Sequence, residues 1–330
     1  MTKVEIRKNE AVLRFISRNF IRKTWNIIKN TFMRIHISKK TFRMASYMLL
    51  VDFAFVFLYP FLYMISTSLK GPVDLNDMYV VWIPKRGIEW NNFNVALKAL
   101  SYSKTFFNSV FLTTVCTLGH VIMCSFIAYG FARVKFRGRN SIFILVLFTL
   151  IVPAQVVFIP QYILNARAGI VGTYLPLLLP VFMGMGLRGG LFIFIFRQIF
   201  IGIPYELEDS ARIDGCSLFK TYWNIIVPIS KSAILVSSIL SVVWHWNDYY
   251  EPTLYITKPN MMLLPMMLPG MRANLKLLMQ MGGGNPDMLE SFNEATIMAG
   301  TFLAVIPILI VYIIAQKQFM EGIERTGIVG

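Results

Sequence analysis

Cysteine is scarce in this sequence, which removes a disulfide-stapled scaffold: only Cys116, Cys124 and Cys216 occur in 330 residues. Histidine is equally scarce, and His36, His120 and His245 are scattered without metal-ligand spacing, so packing or interface roles are expected and no metal site. Acidic residues number 17 against 32 Lys and Arg, giving a net charge of +15. Nucleic-acid binding would gather that charge on a soluble face, whereas here it clusters between apolar stretches, as suits an anionic membrane surface. A phosphate-binding GxxxxGK[ST] loop is missing too, because the run Gly282 to Gly284 leads into Asn285 and Pro286. ATP hydrolysis by that route is excluded. No set of nucleophile, base and orienter stands out either, so neither catalysis nor a cofactor is expected. The first 43 residues carry Lys or Arg throughout and no apolar core of a cleaved secretory signal, so the amino terminus is expected to stay in the cytoplasm.

What the chain has in excess is apolar surface. Hydrophobic residues make up 56% of it and the mean hydropathy is +0.58, against roughly 45–50% apolar usage in soluble domains. A bilayer core takes about 20 apolar residues per helix. Six stretches qualify: 44–66, 107–132, 142–164, 175–200, 233–250 and 295–315. The expected fold class is therefore all-α, a polytopic membrane protein with six transmembrane helices in one domain, residues 44–330, preceded by a basic extension, residues 1–43. After the second span the chain reads ARVKFRGRN, whose Arg133, Lys135, Arg137 and Arg139 mark a cytoplasmic loop. That choice puts both termini inside, together with the charged loop after span four, and places 68–105, 165–174 and 251–293 outside.

Three further segments carry candidate roles. Along residues 11–37, Arg14, Arg18, Arg22 and Lys29 fall on one side of a helical wheel and Val12, Ile16, Phe20 and Ile27 roughly opposite, with Lys23 interrupting the apolar face. Either an amphipathic helix on the inner leaflet or a solvated basic extension fits. In WHWNDYYEP, Trp244, Trp246, Tyr249 and Tyr250 suit either a sugar-stacking surface near the outer mouth or the aromatic belt of a membrane interface, and Asn247 joins Trp244, Trp246 and Tyr249 as a candidate for the substrate path. Arg188, in GMGLRGG, is the clearest charge in mid-span; at bilayer depth it must face protein or water, and either a substrate group or a carbonyl of a neighbouring helix can meet it.

Between spans four and five lies IPYELEDSARIDGCSLFKTYWNIIVPISKSAI, residues 203–234, too charged to span and too patterned for a slack loop. Glu206, Glu208 and Asp209 crowd a helix start just after Pro204, where carboxylates favour the helix dipole. Gly215 predicts a break between two short helices, and Pro228 ends the second before the next span. Such an element either lies along the interface or projects into a partner.

The spacing resembles the EAA loop of ABC importer permeases, with Asp209, Ser210, Ala211, Gly215, Ile225, Val227 and Pro228 at its fixed positions and Asp for Glu, Ser for Ala and Val for Leu as departures. The string ELEDSARIDG is similar to the carbohydrate-uptake branch, the MalG and LplC-like permeases. Further likeness runs through YPFLYMISTSLK, FFNSVFLTT, IVPAQVVFIPQYIL, WHWNDYYEPTLYIT and the tail QKQFMEGIERTGIVG, so it covers about residues 45–330.

The resemblance implies a type I importer permease fold in a bacterial cytoplasmic membrane. It implies a pore shared with a second, similar permease, two ABC ATPase subunits inside, an extracytoplasmic solute-binding protein, and a carbohydrate substrate such as an oligosaccharide. It assigns ATPase coupling to Glu208, Asp209, Ser210, Ala211, Asp214, Gly215 and Pro228. The rivals are an importer of a non-sugar solute and an ion-coupled secondary transporter. The latter calls for paired ionisable residues at mid-bilayer, where the sequence offers few beyond Asp52 and Arg188. The loop 258–293, rich in Met and Leu around Gly282 to Gly284, is long enough either to reach a docked binding protein or to pack on the bundle.

Overall fold

The computed structural model describes residues 39–80, 82–186, 188–281 and 287–327. The stretch 11–37 and Gly282 to Gly284, singled out above, lie outside the described residues. The elements in order are α1 (Lys39–Ser68), α2 (Pro72–Leu75), α3 (Asn91–Ala99), α4 (Tyr102–Arg133), α5 (Arg139–Phe148), α6 (Ala154–Arg167), α7 (Leu175–Phe182), α8 (Gly189–Ile201) and α9 (Glu206–Ile213). There follow α10 (Leu218–Thr221), a π-helical turn at Tyr222–Ile226, α11 (Val227–Ile229), α12 (Lys231–Asn247), α13 (Tyr250–Tyr255), α14 (Leu264–Met267), α15 (Met271–Gln280), α16 (Asp287–Glu290) and α17 (Glu294–Gly327). No strand occurs among the described residues. That is what lipid demands of an apolar chain, since a helix satisfies its own amides and carbonyls where no water can.

Three helices are by themselves long and apolar enough to cross a membrane, and up to five if each of two bent pairs counts as one crossing. Six uninterrupted spans are not found among the described residues. The expected span 142–164 is divided into α5 and α6 at residues 149–153, where Pro153 caps α6. The expected span 175–200 is divided into α7 and α8 at 183–188, where Gly184 and Gly186 take positive φ and leave the helical path. The bent pairs enclose the charged loop: α8 turns by 79° into α9, and the helical run 218–229 turns by 79° into α12.

Residues 1–62 and 63–330 form two separate units. In the first, the described residues are the amino-terminal part of α1, whose apolar side chains from Phe42 to Leu62 are almost all exposed. The second is organised around α4. Its 32 residues rise about 48 Å at 1.5 Å each, more than the roughly 30 Å of hydrocarbon they must cross. Its buried side is lined with small and polar residues, among them Ser109, Thr113, Cys116, Cys124 and Ala128. Lipid tails are as apolar as leucine, so close packing of such seams, more than water exclusion, drives helices together. α7, α8 and α12 pack on α4, and α17 packs on α12 and α3.

Two apolar clusters follow from this arrangement. One surrounds Phe192, Phe196 and Phe200 of α8 with Tyr129 of α4 and Tyr222 of the π-turn, at the end that carries the charged loop. The other gathers Leu100, Trp246, Leu264, Met271 and Leu275, so that α14 and α15, within the expected outer loop, pack on the bundle.

Candidate functional site

The charged loop takes the helix, break and helix form expected of it. Glu206, Glu208 and Asp209 occupy the first turn of α9. The helix then closes on Gly215, whose φ of +76° only glycine adopts freely. The Gly215 amide donates to the Arg212 carbonyl at 3.0 Å and the Cys216 amide to that of Ala211 at 2.9 Å, the double closure of a Schellman cap. Ser217 caps α10, its Oγ accepting from the Lys220 amide at 3.4 Å. The extra backbone residue of the π-turn follows, and Pro228 sits in the first turn of α11.

The assigned coupling residues divide into two sets. Asp209, Ser210, Asp214, Gly215 and Pro228 face outward, and beside them Ile213 is 87% exposed, with Leu218 and Phe219 also in the open. Glu208 and Ala211 face inward. Glu208 Oε1 lies 2.8 Å from Arg133 Nε, with both side chains closed off from solvent. Tyr129 Oη donates to Glu208 Oε2 at 3.5 Å, Arg133 Nη2 donates to the Ile203 carbonyl, and the guanidinium lies 4.1 Å over the Tyr205 ring. A second tie joins Tyr222 Oη to Ser125 Oγ at 2.6 Å. Both halves of the loop are thus bolted to α4 while their opposite face stands free. Burial of Glu208 makes it a link to the bundle and not part of that free face.

Of the path candidates, the structure brings together Arg188 and Trp244, whose ring centroid lies 4.7 Å from the guanidinium carbon. Trp244 also touches Phe192, at 5.5 Å between ring centroids. Trp246 turns elsewhere: it is buried, and its Nε1 donates to the Ala304 carbonyl of α17 at 3.0 Å. Asn247 is exposed and its Nδ2 bonds back to the Val243 carbonyl at 2.8 Å, while Tyr249 leans on Tyr250.

Sequence reasoning missed how two histidines are used. His120 of α4 and His245 of α12 stack with 3.1 Å between Nδ1 and Nε2, and His120 Nε2 meets the Met185 carbonyl at 3.1 Å. His245 also lines a small pocket with Asp248, Glu251, Cys116 and Val181. A separation of 125 residues carries no spacing signal. Among the described residues no group of three His, Cys, Asp or Glu is arranged to hold a metal ion.

Residues 121–325 match the family described as binding-protein-dependent transport system inner membrane component. The chain is 30% identical over 291 residues to the arabinooligosaccharides transport system permease protein AraQ of Bacillus subtilis, spanning 88% of this chain and 96% of that one. The AraQ protein of Halalkalibacterium halodurans is 28% identical over 299 residues, covering 89% of this chain and all of its own length. Among solved structures, a bacterial ABC transporter involved in import of the acidic polysaccharide alginate has a chain that superposes with a TM-score of 0.71 at 22% identity, over 86% of this chain and 98% of that one, which supports the fold. The chain belongs to the binding-protein-dependent transport system inner membrane components, the membrane-embedded transport subunits of ABC importers.

Proposed function

We propose that the chain translocates a carbohydrate, an oligosaccharide or a longer saccharide, across a bacterial cytoplasmic membrane, in an importer powered by separate ATPases. The observation that carries this reading is the α9–Gly215–α10 element, rooted in α4 through Glu208 and Arg133 and open on its other face. An acidic, partly apolar knob on a firm base suits docking to a partner whose movements must reach the bundle. Arabinooligosaccharides and alginate, named for the relative and the solved neighbour, support a saccharide as cargo. In this reading both termini and the knob are cytoplasmic, as the basic residues of 133–139 favour. A second, similar permease completes the pore, two ATPases dock below, and a solute-binding protein delivers cargo above. The apolar side chains exposed along α1 and α17 meet lipid and the second permease.

The test is uptake into proteoliposomes holding this chain, its partner permease and the ATPases, with binding protein and a panel of radiolabelled oligosaccharides and non-sugar solutes. Uptake of a saccharide that requires ATP supports the reading. Uptake driven by a proton or sodium gradient without ATP, or confined to a non-sugar solute, overturns it.

A further inference from the structure

Arg188 stands in a backbone conformation that few side chains adopt. With φ of +60° it is one of two non-glycine residues in the left-handed region among the described residues, and it opens α8 at the break 183–188. An L-residue is disfavoured there and keeps the conformation only where the surroundings dictate it. The surroundings do so here. A β-carbon on Gly189 would come within 2.8 Å of the Gly184 carbonyl oxygen, and one on Gly190 within 2.9 Å of that of Val146. The Met185 amide donates to the Pro180 carbonyl at 2.8 Å, and the Met185 carbonyl is held by His120. The break is a built loop, and it presents a guanidinium.

Among the described residues no carboxylate lies within ion-pair distance of Arg188, and its recorded contact is the face of Trp244. Stacking on an indole orients a guanidinium and leaves the N–H groups along its edge free. The edge of an arginine fork matches a carboxylate, two parallel N–H donors meeting two oxygens. An arginine in a membrane domain, side chain exposed, has to face water or protein.

We infer that Arg188 recognises a carboxylate carried by the transported saccharide, a uronate unit, with Trp244 as the residue that positions it. This rests on the carbohydrate-import reading above and narrows its substrate class. Trp244 covers one face of the guanidinium, and the Arg188 side chain stands exposed at the break 183–188. The same chemistry has a second source, an acidic side chain of the other permease, and the experiment separates the two.

The complete transporter, with ATPases and binding protein, is reconstituted as wild type, Arg188→Gln, Arg188→Lys and Trp244→Leu. Uptake of oligogalacturonates is compared with that of galactose oligomers of equal length. Arg188→Gln is expected to lower acidic uptake about tenfold or more, the effect of losing a charge-assisted bond pair. Neutral uptake should fall far less than acidic uptake, because a neutral oligomer has no carboxylate for the guanidinium to lose. Arg188→Lys keeps part of the acidic uptake, as a point charge without the fork, and Trp244→Leu raises the KM for the acidic oligomer with little change in kcat. Equal loss on both oligomers, failure of Arg188→Gln and Arg188→Lys to assemble with the second permease, or a wild type that carries neutral oligomers alone overturns the role of Arg188 and leaves the carbohydrate reading standing. A wild type that carries no saccharide overturns both.

Discussion

Arg133, the last residue of α4, and Glu208, in the first turn of α9, meet at 2.8 Å with neither side chain open to water. Removing one member of such a pair strands the other, at about 3–5 kcal/mol, whereas replacing both with apolar residues of similar size is often tolerated. Arg133→Leu and Glu208→Leu singly should therefore lower the yield of folded permease. The double variant should recover much of that yield, read by size-exclusion profile and melting temperature in detergent. Transport by the recovered double variant should stay well below wild type if the pair passes movement from α9 to α4. Full transport by the double variant would reduce the pair to a structural device.

Gly215 offers a separate handle on the same element. A β-carbon there meets nothing within 4 Å, so a substitution acts through the backbone alone. Gly215→Val should cost the left-handed conformation about 1–2 kcal/mol or more and rearrange the cap, abolishing transport in protein that still reaches the membrane. Asn tolerates that conformation, so Gly215→Asn should keep most of the activity. Asp209→Lys, on the exposed face, should leave folding intact and weaken ATPase docking, measured by co-purification of the ATPase and by uptake.

Trp246 is expected to behave as a structural residue although it is only two positions from Trp244. Its Nε1 bond to the Ala304 carbonyl and its burial against Phe106 tie α12 to α17 and α4. Trp246→Phe should destabilise by about 1–3 kcal/mol through the lost bond and the smaller ring. The melting temperature should fall while the ratio of acidic to neutral saccharide uptake stays fixed. A shifted ratio would place Trp246 on the path.

Asp74, in the short helix α2 of the loop between α1 and α3, is buried and accepts from the Arg86 and Lys85 amides at 3.1 and 2.9 Å and from Arg86 Nη1 at 2.8 Å. The Arg86 amide foremost, with its guanidinium and the Lys85 amide, holds the carboxyl below the usual aspartate range against the opposing effect of burial. A depressed value stabilises the loop at all pH above the ordinary aspartate range, and that stabilisation is lost as pH falls through the folded value. Asp74→Asn should speed amide exchange across 84–89 at neutral pH. The wild type should approach the variant only below the ordinary aspartate range; convergence nearer neutrality would contradict the assignment.

How far the sequence revealed this arrangement depended on how local each signal was. The two halves of the charged loop were legible because carboxylates after Pro204, a glycine and a later proline each act within one helical turn. The long apolar helices were legible from composition. The breaks at 149–153 and 183–188 were hidden, since Pro153 and the glycines of GMGLRGG also occur inside transmembrane helices whose neighbours satisfy the freed backbone. Burial of Glu208 was hidden for another reason: its partner Arg133 reads in sequence as one more charge of a topology-setting basic loop. The stacking of His120 on His245 required two distant helices to be brought into register, which no periodicity records.

The two 79° corners that flank α9 to α11 give the loop the form of a crank. An element set nearly square to the rods on either side converts a sideways pull at its tip into a tilt of both. One rod, α8, carries Arg188 at its far end, and the other, α12, carries Trp244, so unequal tilts would slide indole against guanidinium. On the proposed reading, ATPase movement at the loop and recognition of cargo at Arg188 would then be two ends of one lever.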